Sequence, residues 1–314
     1  MDRELALEFV RTTEAAALAS APFMGRGDKE ATDNAAVVAM RNAFDNVDIS
    51  GTVVIGEGEI DDAPMLYIGE KVGGGSNPQV DIAVDPVEGT TIVSKGLPNG
   101  IAVLAAGSKG SFLHAPDMYM DKIAVGAKAK GVVDLDLPIE ENIRRVSQAI
   151  GKNIQDMTVA ILDKPRHQER ISKMRSLGCR IKIFPDGDVA MAMATATEDN
   201  TVDLMTGIGG APEGVIAAAA LKCLGGDFQG RLKPRDEDER KRAMDMGIKD
   251  VDKKLTIDDL AKGEDIFFAA TGITGGDFLE GVRFKQTTAS THSLIMRAKT
   301  GTIRYIKAIH RLKK

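Results

Sequence analysis

The sequence predicts a mixed α+β and α/β protein, and three features carry that expectation. In the first half, helix-length stretches at 3–20 and 28–45 precede apolar runs of strand length at 52–55, 80–84 and 100–106. In the second half, apolar runs at 159–162 and 180–184 flank a helical stretch at 166–177, a βαβ rhythm that builds parallel or mixed sheets. The third feature is length, since 314 residues make one large domain or two with ample chain for a core.

Residues 3–20 set Leu5, Phe9, Ala16 and Ala19 among charges, the pattern of an amphipathic helix. Pro22 and the turn Met24-Gly25-Arg26-Gly27 break it, and Asp28 can cap the next helix through about Asp45. On that helix Lys29 and Asp33 stand four residues apart and share a face near Val37 and Met40. A surface ion pair accounts for them when they are read alone. The run 52–55 leads into Gly56-Glu57-Gly58-Glu59, with Asp61 and Asp62 close behind. Glycines on both sides of Glu57 let the backbone close on whatever its carboxylate holds. So many acids in one turn repel, which a bound divalent cation relieves and an open, solvated loop tolerates. The spacing of oxygen ligands and glycine excludes an EF-hand.

Val80-Asp81-Ile82-Ala83-Val84 reads as a strand, which Pro86 should end because it cannot donate to a ladder. The stretch Asp85-Pro86-Val87-Glu88-Gly89-Thr90-Thr91 then places two carboxylates beside a glycine turn, and Thr90 could open a helix. Carboxylates favour a hard cation such as Mg²⁺ or Mn²⁺, and N–H groups at a helix start favour a phosphate oxygen. Ordinary turn chemistry explains the same heptapeptide equally well in isolation.

Beyond it, 100–106 reads as a core strand and 107–121 as irregular chain holding Tyr119, whose ring is structural or touches a sugar. Residues 124–133 read as a strand pair and 138–150 as a helix. Both strands of the βαβ unit end in polar residues, where ligands of α/β sheets gather. The first gives Lys164-Pro165-Arg166-His167, cationic and suited to a phosphate, Arg166 through its planar fork. The second gives Asp186-Gly187-Asp188 ahead of a helix at 189–195. These acids could accept from sugar hydroxyls, and Asp188 could equally cap the helix. The glycine-rich turn 206–214, with Gly210 in it, precedes a helix at 215–224 and could cradle an anion. It lacks the Lys-Ser/Thr ending of a nucleotide phosphate loop. Its sharper feature is Glu213 in the first helical turn. Residues 231–254 carry both charge signs and read as a solvated helix. The tail gives a strand at 266–270, a supporting glycine loop at 271–277, and strands at 282–286 and 302–308.

Composition narrows the function classes. A net charge of −5 gives no encouragement to nucleic-acid binding. Two cysteines, Cys179 and Cys223, lack a histidine at ligand spacing, so a reduced, buried pair is expected, and four scattered histidines argue against zinc. Glu4, Glu8, Arg11 and Glu14 interrupt what would be the apolar core of a leader. No run approaches the roughly twenty apolar residues a bilayer requires. A cytoplasmic protein with no membrane partner is expected.

Taken together, these stretches resemble a known family. Asp85 to Thr90 is similar to the Asp-Pro-hydrophobic-Asp-Gly-Thr signature of the lithium-sensitive, metal-dependent sugar and inositol phosphatase superfamily. Glu88 in place of the second Asp resembles the class II fructose-1,6-bisphosphatases, as do 24–29, 56–59, 164–167, 186–188 and 209–214 in their order along the chain. The resemblance implies a layered α/β sandwich with two mixed-sheet domains, 1–135 and 136–314, and the active site between them. It implies Mg²⁺ or Mn²⁺ held by Asp33, Glu57, Asp85, Glu88 and Glu213. Thr90, Asp61, Glu59 and Lys29 would act in catalysis. Glu88, Gly89, Thr90, Tyr119, Lys164, Pro165, Arg166, Asp186, Gly187, Asp188 and Gly210 would bind substrate. The implied reaction releases the 1-phosphate of fructose 1,6-bisphosphate, with sedoheptulose 1,7-bisphosphate as a second fit and a homo-oligomer, dimer or tetramer, as the assembly. The alternatives are an inositol or nucleotide monophosphatase, or a non-catalytic sugar-phosphate-binding module.

Overall fold

The computed structural model describes residues 1–58, 64–197 and 201–312. In chain order it runs α1 (Leu5–Ser20), α2 (Lys29–Phe44), β1 (Ser50–Ile55), β2 (Lys71–Val72), β3 (Gln79–Glu88), α3 (Thr90–Ser94) and β4 (Ile101–Ser108). Next come β5 (Tyr119–Val125), α4 (Ile139–Ile150), β6 (Thr158–Leu162), α5 (Gln168–Ser176), β7 (Arg180–Phe184), α6 (Asp188–Met193), β8 (Leu204–Gly210) and α7 (Ala211–Leu224). The rest is β9 (Asp227–Lys233), α8 (Glu237–Asp245), β10 (Leu255–Thr256), α9 (Ile257–Leu260), β11 (Ile266–Gly272), β12 (Arg283–Phe284), β13 (Thr288–Arg297) and β14 (Thr302–Arg311).

Two compact units result, Met1–Phe112 with Gly263–Lys314, and Leu113–Lys262. The expected division at residue 135 differs from this in two ways: the second unit opens earlier, and the tail returns to the first. Strand register explains the return. β11 lies antiparallel to β4 along its length, from Ile266 opposite Gly107 to Gly272 opposite Ile101. Every residue of β11 is buried, so this tail strand is a central strand of the N-terminal sheet. That sheet has the order β12-β13-β11-β4-β3-β1-β2, with β14 against β13, and is antiparallel except for β1 beside β3. α1 buries Phe9, Val10, Ala16 and Ala17 against it, and the Phe9 ring lies 5.8 Å from that of Phe267 on β11. Each large apolar side chain buried this way contributes about 1.5–3 kcal/mol.

The sheet of the second unit has the order β10-β9-β5-β8-β6-β7. β6 runs parallel to β7 and to β8 and the remaining pairs are antiparallel, the mixed sheet that the βαβ rhythm predicts. Ile143 and Val146 of α4 and Ile171 and Met174 of α5 join its core.

Three local expectations are corrected. β3 does not stop at Pro86. Asp85 pairs with Val103 and Glu88 with Ile101, so Pro86 and Val87 together oppose Ala102. Such a bulge admits a residue without an N–H, and the strand continues to Glu88. Tyr119 lies at the start of β5, in regular ladder with β8 and β9, where irregular chain was expected. Finally, 124–133 is no strand pair: β5 ends at Val125 and a short 3₁₀ turn, Ala127–Ala129, follows. Strands β2, β8, β9, β10 and β13 have no counterpart in the sequence expectation, and β8 takes up glycines that were expected to form a turn.

Candidate active site

In the first unit the bulge in β3 decides where two acids point. Residues three apart on a regular strand face opposite sides of a sheet. Here their partners, Ile101 and Val103, are two apart and share a side, so Asp85 and Glu88 face the same way. Asp85 Oδ1 accepts from Val87 N at 3.0 Å, which fixes the turn of the bulge. Glu88 is buried. Gly89 follows at φ +89°, the left-handed region that suits glycine, and opens α3. Thr90 Oγ1 donates to Val87 O at 3.2 Å, which leaves its lone pairs as the acceptor side of the hydroxyl.

α3 is held from its other end. Gly25 N donates to Val93 O at 3.0 Å and Gly27 N to Ser94 O at 2.8 Å, so the turn 24–27 satisfies carbonyls a single-turn helix leaves open. Asp28 caps α2 by accepting from Ala31 N at 2.9 Å, as expected. Lys29 Nζ donates to Thr91 Oγ1 at 2.8 Å, which sets the ammonium beside the Gly89–Thr90 corner. Glu59 and Asp61, expected near Thr90, lie outside the described residues.

Asp33 and Glu57, 24 positions apart in sequence, are brought together so that each carboxyl group perturbs the other. Burial raises Asp33 above the usual carboxylate range. It pushes Glu57 up to about 8, with the Asp33 charge adding to the effect. Two adjoining carboxylates cannot both ionise cheaply, so one holds a proton until a cation replaces it. The glycine beside Glu57 has a different use from the one expected: a Cβ on Gly56 would stand 2.0 Å from Leu66 O. Glu57 N donates to that carbonyl at 3.1 Å. Gly56 thus serves the close passage of two backbones.

In the second unit Glu213 occupies the first turn of α7, as expected. Its Oε2 is buried without a hydrogen-bond partner among the described residues, and burial raises the carboxyl above its ordinary range while the Lys122 charge opposes the rise. A Cβ on Gly210 would meet this carboxylate at 1.9 Å, and one on Gly209 would meet Asp188 Oδ2 at 2.0 Å. The glycine run is therefore what lets two acids lie against the backbone. Asp188 does not cap α6, whose N-cap is Gly187 at φ +91° with no side-chain cap. It is buried and pairs with Lys122 Nζ at 2.5 Å, and Asp186 Oδ1 accepts from Gly187 N at 3.2 Å.

Sequence reasoning missed Lys122, which is fully buried on β5. The signal was present: Met120, Lys122 and Ala124 alternate on one buried face, and a lysine in such a row requires an acid partner. Lys164 precedes the short turn Pro165–His167. Arg166 donates through Nε and Nη2 to Ile208 O at 3.1 and 2.6 Å, and its guanidinium lies 4.5 Å from the centre of the Tyr119 ring. The second unit thus gathers Tyr119, Arg166 and the C-terminal end of β8.

The donor chemistry fits a hard divalent cation. All candidate ligands are carboxylate oxygens, the raised Asp33 and Glu57 carboxyls would give up protons to a cation, and Glu213 Oε2 is buried with no hydrogen-bond partner among the described residues. Among the described residues no three acids, histidines or cysteines already surround one point, so the Asp33–Glu57 pair is the arrangement that carries the fit. Accordingly, millimolar Mg²⁺ or Mn²⁺ is expected to raise the melting temperature, by about 2.7 kcal/mol of stabilisation at a hundredfold excess over Kd. Asp33→Asn and Glu57→Gln should each reduce that shift. A shift untouched by both substitutions would place the cation elsewhere.

Comparison with known proteins adds to this geometry. Residues 3–310 match the family described as bacterial fructose-1,6-bisphosphatase, glpX-encoded. The chain is 52% identical to fructose-1,6-bisphosphatase 1 class 2 of Escherichia coli K12 over 325 aligned positions, covering 99% of this chain and 96% of that one. It is 50% identical to fructose-1,6-bisphosphatase class 2 of Haemophilus influenzae, covering 99% and 97%. Among solved structures, the extragenic suppressor protein SuhB of Bartonella henselae matches 63% of this chain and 75% of its own at 14% identity, with a TM-score of 0.36, too low to bear on the argument. By sequence, the chain belongs to the bacterial glpX-encoded fructose-1,6-bisphosphatase family.

Proposed function

We propose that the protein is a metal-dependent sugar-bisphosphatase that hydrolyses the 1-phosphate of fructose 1,6-bisphosphate to fructose 6-phosphate and phosphate. The observation that carries this reading is the Asp33–Glu57 pair, two adjoining half-buried carboxyl groups, both pushed up in pKa. A site built only to bind an anion gains nothing from such a pair, whereas a site that loads Mg²⁺ or Mn²⁺ needs it. We assign the cation ligands of the first unit to Asp33, Glu57, Asp85 and Glu88, and in the second unit we assign Glu213 as a cation ligand.

Bound divalent cations would screen the phosphate charge and favour ionisation of the attacking water. The protein's own groups do the positioning. Thr90, whose hydroxyl proton is engaged by Val87 O, accepts from the water and orients it for in-line attack. Glu59 or Asp61 then takes the proton. Lys29, held on Thr91, adds positive charge beside the backbone N–H groups of Gly89 and Thr90. In the second unit, Lys164 and Arg166 grip the other phosphate beside Pro165, and Asp186, Gly187, Asp188, Gly210 and Tyr119 hold the sugar. Asp188 enters as a fixed acceptor because Lys122 already holds one of its oxygens. Two cationic residues for a second phosphate favour a bisphosphate over an inositol or nucleotide monophosphate.

No helix among the described residues is long and apolar enough to cross a membrane. We place the enzyme in the cytoplasm as a homo-oligomer. The test is phosphate release from fructose 1,6-bisphosphate, sedoheptulose 1,7-bisphosphate, an inositol monophosphate and a nucleoside monophosphate, each with Mg²⁺, Mn²⁺ or chelator. The bisphosphates should be hydrolysed with a kcat/KM at least about 10²-fold above the monophosphates, since a site built for a charged group penalises its absence. Chelator should stop release. Chelator-resistant turnover, or equal rates on all four, would overturn the reading.

A further inference from the structure

Arg166 shares its loop with a histidine that the reaction described above leaves without a role. We propose that His167 is a positioning residue that holds Arg166 where it can receive the second phosphate of the sugar bisphosphate. This rests on the reading, given above, that Arg166 meets that phosphate.

His167 is buried and both of its ring nitrogens are engaged. Nδ1 lies 2.7 Å from Leu162 O, and Ile208 N lies 2.8 Å from Nε2. A carbonyl only accepts and an amide N–H only donates, so the proton sits on Nδ1 and the ring is neutral. Leu162 is the last residue of β6 and Ile208 lies in β8. The ring therefore fastens the exit of one strand to its parallel neighbour, at the end where the loop 163–167 leaves the sheet.

The neighbouring side chain uses the other backbone group of the same residue. Ile208 gives its N–H to His167 and its carbonyl to Arg166 Nε and Nη2. If Ile208 shifts, the guanidinium loses the carbonyl that aligns it over the Tyr119 ring. The fork reaches Ile208 through Nε and Nη2, which leaves Nη1 for an anion. A separate observation supports the closeness of this fit. Gly207 has φ +143°, and a Cβ there would stand 3.2 Å from His167 Cε1 and 3.4 Å from Nε2. The positive φ favours glycine there, and a Cβ would press on the ring.

Burial pushes the imidazole below its ordinary pKa, and Arg166 and Arg170 act the same way, against the Leu162 carbonyl and Asp121. The neutral ring that the two hydrogen bonds require is thus the form the surroundings favour. Arg170 is itself engaged by Asp121 and Thr206, so it does not compete for the Ile208 carbonyl.

The experiment compares fructose 1,6-bisphosphate with fructose 1-phosphate, which lacks the second phosphate. His167→Asn keeps a donor for Leu162 O and removes the acceptor for Ile208 N. It should raise KM for the bisphosphate about tenfold, with kcat and the monophosphate KM within about twofold. His167→Gln can reach both partners and should restore most of the loss. His167→Phe, which fills the space without either bond, repeats the test should the Asn variant unfold. Arg166→Gln serves as the reference and should show the same split between the two substrates. An unchanged bisphosphate KM in His167→Asn, alongside a raised one in Arg166→Gln, overturns the role of His167. Equal loss on both substrates does the same, because it marks a general loosening. Failure of Arg166→Gln to separate the substrates overturns the placement of the second phosphate, and the role of His167 falls with it.

Discussion

Asp85→Asn is expected to abolish turnover, lowering kcat by about 10³-fold or more, while the fold is retained. The amide oxygen of Asn can still accept from Val87 N, the bond at 3.0 Å that fixes the bulge. What disappears is one negative charge on the side of β3 that Glu88 shares. Removing one electrostatic contact to a transition state typically costs 10²–10³, and under the ligand assignment proposed above the loss of a cation ligand would add to that. Steady-state kinetics at saturating Mg²⁺ or Mn²⁺, with circular dichroism on the same sample, provides the check. Substantial activity in a folded Asp85→Asn protein removes this residue from the reaction.

The largest effect on stability is expected at Lys122. Lys122→Met fits the same space with no ammonium, and it leaves Asp188 buried opposite an apolar chain. Breaking a buried pair by removing one partner costs about 3–5 kcal/mol, because the remaining charge is stranded away from water. Replacing both partners by apolar groups is often neutral, so Lys122→Met with Asp188→Leu should recover most of the loss. Urea unfolding of the wild type and both variants measures this. A single-variant loss below about 1 kcal/mol would show that water or another group reaches Asp188.

Much of the local architecture was written in local residues. Asp28 announces the start of α2, the run 80–84 announces β3, and the pair of apolar runs around 166–177 announces the parallel β6 and β7. Glu213 does fall in the first turn of a helix, but the glycines before it belong to strand β8 and the helix opens at Ala211 instead of 215. The failures have physical causes. β13 reads Thr-Ala-Ser-Thr-His-Ser before its apolar end, so it offers no apolar run, and its strand form comes from pairing with β11 and β14. β9, Asp-Phe-Gln-Gly-Arg-Leu-Lys, alternates polar residues with buried Phe228, Gly230 and Leu232, a two-residue period that the charge-rich reading of 231–254 passed over. Pro86 looked like a terminator because a bulge depends on the partner strand, which local sequence does not display. The meeting of Asp33 with Glu57 had no periodic signal either, and only the family resemblance suggested it.

The central place of β11 also sets an order of events at the ribosome. Residues 113–262 form a unit from one continuous piece of chain, whereas the sheet begun by β1–β4 stays open until the tail strands are made. Closing it joins segments more than 150 residues apart, and such non-local pairing slows folding. While synthesis continues, the apolar edge of β4 waits without its neighbour. Such an edge invites wrong partners, so shortening the chain from its C-terminus should harm solubility far more than the loss of surface strands would suggest.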